Sequence, residues 1–151
     1  MHKATSILIG VVQVGLTFVV LFGVYMTLAL LDYQGGIANL IGITLVAPLF
    51  AALFSGLSTV AFFIVGLPIR FNEKLNAWWR RHFYLAILLV IVGLGLIITA
   101  LLPGFTEEVT IYKADGLPRS STVPNLTLSL LGVAFLALGT LHLYPPRFKT
   151  F

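Results

Sequence analysis

Cysteine is absent from the 151 residues, and charge is scarce: nine Lys and Arg and five Asp and Glu, 9% of the chain. The first absence excludes disulfides and thiol chemistry, a quinone-linked disulfide exchange included. The second excludes a water-soluble globular enzyme, because an ordinary soluble domain carries about 25% charged residues. Catalytic patterns are missing too. No Ser, Thr or Tyr has a His or carboxylate that sequence spacing places beside it, and there is no Gly-rich phosphate loop, metal-ligand cluster or internal repeat. These absences point to a non-enzymatic protein with no cofactor.

What the chain has instead is apolar length. Hydrophobic residues make up 59% of it, and the mean hydropathy is +1.05. The charges fall in clusters, leaving charge-free runs at 4–31, 33–69, 82–106 and 120–146, of 28, 37, 25 and 27 residues. Each exceeds the roughly 20 residues that a membrane-spanning helix needs. The pattern predicts an all-α integral membrane protein, a single domain over 1–151 built as a four-transmembrane-helix bundle. Its helices are expected at about 5–31, 36–69, 83–102 and 126–144.

The first span is about twice the length of a signal-peptide apolar core and lacks a small-x-small cleavage site, so it reads as retained. Asp32, Tyr33, Gln34, Gly35 and Gly36 leave just enough polar chain for a tight helix–helix connection. The second span is too long to be straight across a hydrocarbon core of about 30 Å. Pro48 removes a backbone donor and crowds the carbonyl four residues earlier, which predicts a kink near Thr44. Pro103 and Gly104 close the third span, and Pro124 and Asn125 open the fourth, which Pro145 and Pro146 stop.

Cytoplasmic flanks retain Lys and Arg, so their distribution sets orientation. With both termini inside, Lys3, Arg70, Lys74, Arg80, Arg81, Arg147 and Lys149 lie inside, against Lys113 and Arg119 outside. An N-in, C-in protein follows, in a bacterial cytoplasmic (inner) membrane. The basic pI of 9.7 reflects this sidedness and anionic lipid headgroups, not nucleic-acid binding.

The inner loop reads Arg70-Phe71-Asn72-Glu73-Lys74-Leu75-Asn76-Ala77-Trp78-Trp79-Arg80-Arg81-His82. Phe71, Leu75, Trp78 and Trp79 recur at helical spacing among polar and basic neighbours, which predicts a short amphipathic cytoplasmic helix lying in the headgroup region. With Arg80 and Arg81 these residues form a candidate partner or membrane interface, because Trp and Arg both anchor to headgroups and dominate binding hot spots.

On the first helix Ser6, Gly10, Gln13 and Thr17 share a face, and on the second Ala51, Ser55, Ser58 and Thr59 do the same. Gln13 and Ser58 lie at matching depth, so Gln13, Thr17, Ser55, Ser58 and Thr59 form a candidate polar seam between the two helices. The competing reading makes Gln13, Asn39, Ser55, Ser58 and Thr59 the lining of a path for a neutral solute. Against a proton-coupled carrier, no Asp, Glu, Lys or Arg falls within a span, and the amide of Gln13 cannot carry a proton.

Gly15 and Gly23, then Gly93 and Ala100, and then Ser129, Gly132 and Gly139 are further close-packing positions. His82 and His142 fall at the inner boundary, where water-facing nitrogens are the default and a metal or haem lacks a third ligand. The outer loop, 104–125, suggests a β-hairpin: Val109-Thr110-Ile111-Tyr112 and Ser120-Ser121-Thr122-Val123 flank Asp115-Gly116, with Pro118 weakening the second arm. Glu107, Glu108 and Asp115 make that loop acidic, and Asn125-Leu126-Thr127 matches a glycosylation sequon that abuts the membrane.

The functional expectation is a small accessory or structural subunit, contacting larger membrane subunits and lipid, with a homo-oligomer as another arrangement. The alternatives are a small oligomeric channel or carrier for a neutral or lipid-like solute, and a membrane immunity protein that works by occluding a toxin.

Overall fold

The computed structural model describes residues 3–31, 40–112 and 118–146. The turn expected at Asp32–Gly36, together with Asn39, Asp115–Gly116, Arg147 and Lys149, lies outside them. The fold is mostly helical. Helix α1 (Lys3–Leu31) is followed by a π-helical turn (Gly42–Val46) that runs into α2 (Ala47–Val65). Two short helices come next, α3 (Leu67–Phe71) and α4 (Glu73–Arg81), and then the long α5 (Tyr84–Ala100). Strands β1 (Glu107–Tyr112) and β2 (Pro118–Val123) precede α6 (Leu126–Leu141).

Two spans, Thr5–Leu31 and Gly42–Val65, are long and apolar enough to cross a membrane. A third is counted if α4 and α5, bent by 70° at their junction, are taken as one, while α6 is a shorter apolar helix. The 34-residue second span expected from the sequence is thus shorter, because Gly66 ends it and Pro68 opens α3.

Where Pro48 predicts a kink, near Thr44, the chain forms a π turn. Ala47 N–H bonds back to the Gly42 carbonyl, five residues earlier, and the Thr44 hydroxyl donates to the Leu40 carbonyl at 2.7 Å. Widening the turn relieves the crowding that a proline ring imposes on the carbonyl four residues before it.

Among the described helices, α6 packs against α1, α2 and α5. Leu21, Ile97, Val133, Leu136 and Ala137 form the apolar core where α1, α5 and α6 meet. The tightest contact is between α5 and α6. Ala86, Gly93 and Ala100 are buried at seven-residue spacing along α5, and Gly132 and Gly139 repeat that spacing on α6. A Cβ at Gly93 would stand 2.7 Å from the Leu136 nitrogen, and one at Gly139 would stand 2.6 Å from the Ala86 carbonyl. In lipid, where burial of apolar surface drives little association, such backbone-to-backbone approach is what holds helices together.

At the far end the register closes on Asn125, whose N–H donates to the Ala100 carbonyl at 3.1 Å. Its side chain caps α6, accepting from Leu128 N–H at 2.9 Å, so the sequon asparagine serves as a helix cap. The expected hairpin is present as an antiparallel pair running from Glu107 opposite Val123 to Tyr112 opposite Pro118. Pro118 is tolerated there as the first residue of its strand.

Polarity is inverted relative to a soluble protein. Large apolar side chains such as Leu8, Val11, Leu49, Leu53, Leu57, Ile91 and Leu130 are exposed around the outside, while Gln13, Thr17, Ser55, Thr59, Arg70, Asn76, Thr140 and His142 are buried within. A surface of that kind is stable only in an apolar solvent, which agrees with membrane association.

Candidate functional site

Of the buried polar side chains, Gln13, Arg70, Asn76 and His142 gather towards the end of the molecule where α1 begins, α2 ends and α6 ends. The chain gets there through a break: Gly66 stops α2, and Pro68 starts α3 without needing a donor at its first turn. This redirection turns Arg70 inward. Its side chain is fully buried, and Nη2 donates to the Leu141 carbonyl at 2.9 Å and to Gln13 Oε1 at 3.3 Å. The guanidinium also lies over the Phe63 ring, 4.9 Å from its centroid.

A buried guanidinium is costly unless it is hydrogen bonded. Here it is met by one of the carbonyls that the last turn of α6 leaves without an intrahelical donor, at the negative end of that helix. Burial lowers Arg70 to about 10, which leaves it charged near neutral pH.

His142 follows directly. It is 1% exposed, and its ring occupies a notch that exists because residue 66 has no side chain. A Cβ at Gly66 would overlap His142 Nε2 and Cε1. Nε2 faces the Phe62 carbonyl at 3.5 Å. Burial first, and the nearby Arg70 charge second, push its pKa down to about 4 against a smaller upward pull from the Phe62 carbonyl. The ring is neutral at physiological pH. The expectation of a water-facing histidine is therefore corrected for His142, because the Gly66 notch draws the ring under cover.

His82, by contrast, lies tilted against Trp78 with ring centroids 4.8 Å apart, and its Nδ1 faces the Trp78 carbonyl at 2.9 Å. The two histidines occupy separate environments.

Helix α4 is pinned to the same end by its inner face. Asn72 caps it, accepting from Leu75 N–H at 3.0 Å. Asn76 donates to the carbonyls of Ile69 at 3.1 Å and Pro145 at 3.2 Å. Trp79 Nε1 donates to the His142 carbonyl at 2.6 Å, and the Arg80 guanidinium lies 4.1 Å from the centroid of the Tyr144 ring. Of the six residues singled out as an interface, Trp79 and Arg80 thus face the end of α6. Phe71, Leu75, Trp78 and Arg81 are exposed.

The seam residues lie on α1 and α2, with partners that extend to α3 and α6. Gln13 meets Arg70. The Thr17 hydroxyl lies 2.8 Å from the Gln13 carbonyl and 2.9 Å from Thr140 Oγ1, so α1 is tied to α6 there. Ser55 donates to the Ala51 carbonyl within α2 at 2.6 Å, and Ser58 pairs with Tyr25 across α1 and α2 at 3.3 Å. Thr59 Oγ1 is buried without a hydrogen-bond partner among the described residues.

The sequence pattern makes Arg70 an inner-loop charge and His142 a water-facing boundary residue, and it does not mark Thr140 as a partner. The signal for Arg70 was Gly66-Leu67-Pro68 ahead of it, a helix stop that frees the following turn to change direction.

Two open grooves are largely apolar. One of about 370 Å³ is lined by Ile7, Gly10, Val11, Val14 and Phe63. Another of about 360 Å³ runs between α1 and α5 past Val20, Val24, Leu94 and Ile98. Neither is lined by a seam residue. In comparisons with known proteins, the chain matches no family model, no curated protein and no solved structure.

Proposed function

We propose that the protein is a non-enzymatic accessory subunit, a four-span bundle with both termini on the cytoplasmic side, that packs against larger subunits of a membrane assembly. The observation that carries this reading is a polar interior in which Gln13, Thr17 and Ser55 are engaged within the chain, Thr59 Oγ1 being buried without a partner among the described residues. Gln13 is engaged by Arg70, Thr17 by Gln13 and Thr140, and Ser55 by its own helix. Polar groups that hydrogen bond one another stabilise a bundle and offer no wet path for a solute. The exposed faces of α1 and α2 are apolar along their lengths, which suits helix-to-helix contact in lipid.

Sidedness rests on the seven-to-two split of Lys and Arg. Arg70 and α4 both hydrogen bond to the end of α6, and the hairpin follows α5 at its other end.

The test is extraction from the native membrane in mild detergent, with the co-purifying proteins identified by mass spectrometry. A defined, stoichiometric set of larger membrane subunits is expected. Recovery of the chain alone, as monomer or homo-oligomer, overturns the reading and turns attention to solute flux in liposomes.

A further inference from the structure

Helix α4 divides its surface between two environments. Asn76, Trp79 and Arg80 are spent on the Pro145 carbonyl, the His142 carbonyl and the Tyr144 ring. These contacts hold the helix at 70° to α5. At about 100° per residue, Lys74, Trp78 and Arg81 share an arc of about 60° on the other side, with Leu75 beside Trp78. All four are exposed, as are Phe71, Phe83 and Tyr84 at the two ends of the helix.

The exposed aromatic side chains continue around the corner into α5, where the His82 ring lies 5.7 Å from Tyr84. The stretch 70–82 carries four basic residues against one acidic residue. Arg70 is buried and Arg80 is committed to Tyr144, so Lys74 and Arg81 supply the outward positive charge beside an aromatic and aliphatic strip.

We propose that this outward face of α4 is a binding surface for anionic phospholipid headgroups, with Phe71, Leu75 and Trp78 seated at the acyl boundary and Lys74 and Arg81 against the phosphates. Charge complementarity selects the occupant. A helix with a basic flank and an apolar strip, fixed nearly across the direction of the neighbouring apolar helix, has the form of an interfacial element, and each basic side chain near an anionic surface adds to the attraction. A protein partner docked on the same face would need acidic groups to meet Lys74 and Arg81, and would withdraw Trp78 from lipid.

The chain itself supplies the probe. Its only two tryptophans are Trp78 and Trp79, so selectively excited tryptophan fluorescence reports on α4 alone. The purified protein is reconstituted into phosphatidylcholine vesicles containing a fixed fraction of brominated lipid, either phosphatidylglycerol or phosphatidylcholine. The brominated anionic lipid is expected to quench at least about twofold more than the brominated zwitterionic lipid at equal mole fraction. Trp79→Phe, which leaves Trp78 as the sole reporter, should retain that excess.

Lys74→Gln with Arg81→Gln, two exposed positions whose loss leaves the fold intact, should equalise the two lipids. Raising salt from about 0.1 M to about 1 M, which shortens the screening length from about 10 Å to about 3 Å, should shrink the excess. Equal quenching in the native chain, an excess that survives the double substitution, or quenching by neither lipid each overturns the proposal. The last outcome would place Trp78 against protein.

Discussion

A missing side chain at residue 66 decides the state of a ring at residue 142. Because His142 fills the Gly66 notch, the folded chain holds the imidazole neutral down to about 4, whereas an unfolded chain titrates it near 6.5. Between those values the unfolded state binds more protons than the folded one, so stability falls as pH drops from about 6.5 towards 4 and is flat with respect to this group above 7. The full effect is on the order of 3 kcal/mol. Thermal unfolding in detergent across that window should show the decline. Gly66→Ala, which forces the ring out of the notch, should lower stability at neutral pH by about 1–3 kcal/mol and flatten the pH dependence. A decline that persists unchanged in Gly66→Ala would assign it to another group. Neither half of this pair was legible in the sequence: Gly66 read as the interior of a long span, and His142 as a boundary residue, because a chain pattern shows that a histidine ends a helix and not which neighbour has left room for its ring.

Close packing was more legible, and for a physical reason. In lipid the helices meet where side chains are smallest, so Gly93, Ala100, Gly132 and Gly139 were legible as close-packing positions, though not the pairing of α5 with α6 that uses them. What periodicity could not separate was the filled glycine from the open one. Cβ atoms at Gly93 and Gly139 would meet backbone atoms at 2.7 and 2.6 Å, while those at Gly15 and Gly23 would meet nothing within 4 Å. Backbone cannot swing aside, so Gly93→Ala and Gly139→Ala should each destabilise by about 1–3 kcal/mol. Gly15→Ala and Gly23→Ala should be neutral or stabilising by up to about 1 kcal/mol, since alanine is the better helix former. Unfolding midpoints in one detergent would compare all four, and equal effects would contradict the assigned register. The same limit explains α4. Helical spacing gave Phe71, Leu75, Trp78 and Trp79 one apolar strip, but Trp79 carries an indole N–H, and the carbonyl of His142, left open at the end of α6, claims it. The hairpin was readable from its β-branched arms, and the π turn ahead of Pro48 was not, because a proline reports that a helix must adjust without reporting how.

At the level of the whole molecule, the inversion of polarity turns an absence into an argument about role. The charge map placed every Arg and Lys outside the spans, which left the interior to amides and hydroxyls. The chain break at Gly66 then brings one guanidinium back under the end of α6, where Gln13 and the Leu141 carbonyl receive it. Gln13 therefore stands at a decision point. As the lining of a solute path it would be needed for flux and dispensable for folding. As an acceptor for a buried cation it is needed for folding, because its loss removes one of the few groups that offset the desolvation of Arg70. Gln13→Leu should cost about 1–3 kcal/mol in unfolding experiments, and the folded fraction should keep the same stoichiometric partners on mild extraction. Unchanged stability combined with lost flux in liposomes would reverse the assignment and make the polar interior a conduit. Gln13 thus separates the two readings, since a bundle that spends Gln13, Thr17 and Ser55 within its own chain leaves its outer faces as the surface with which to act on others.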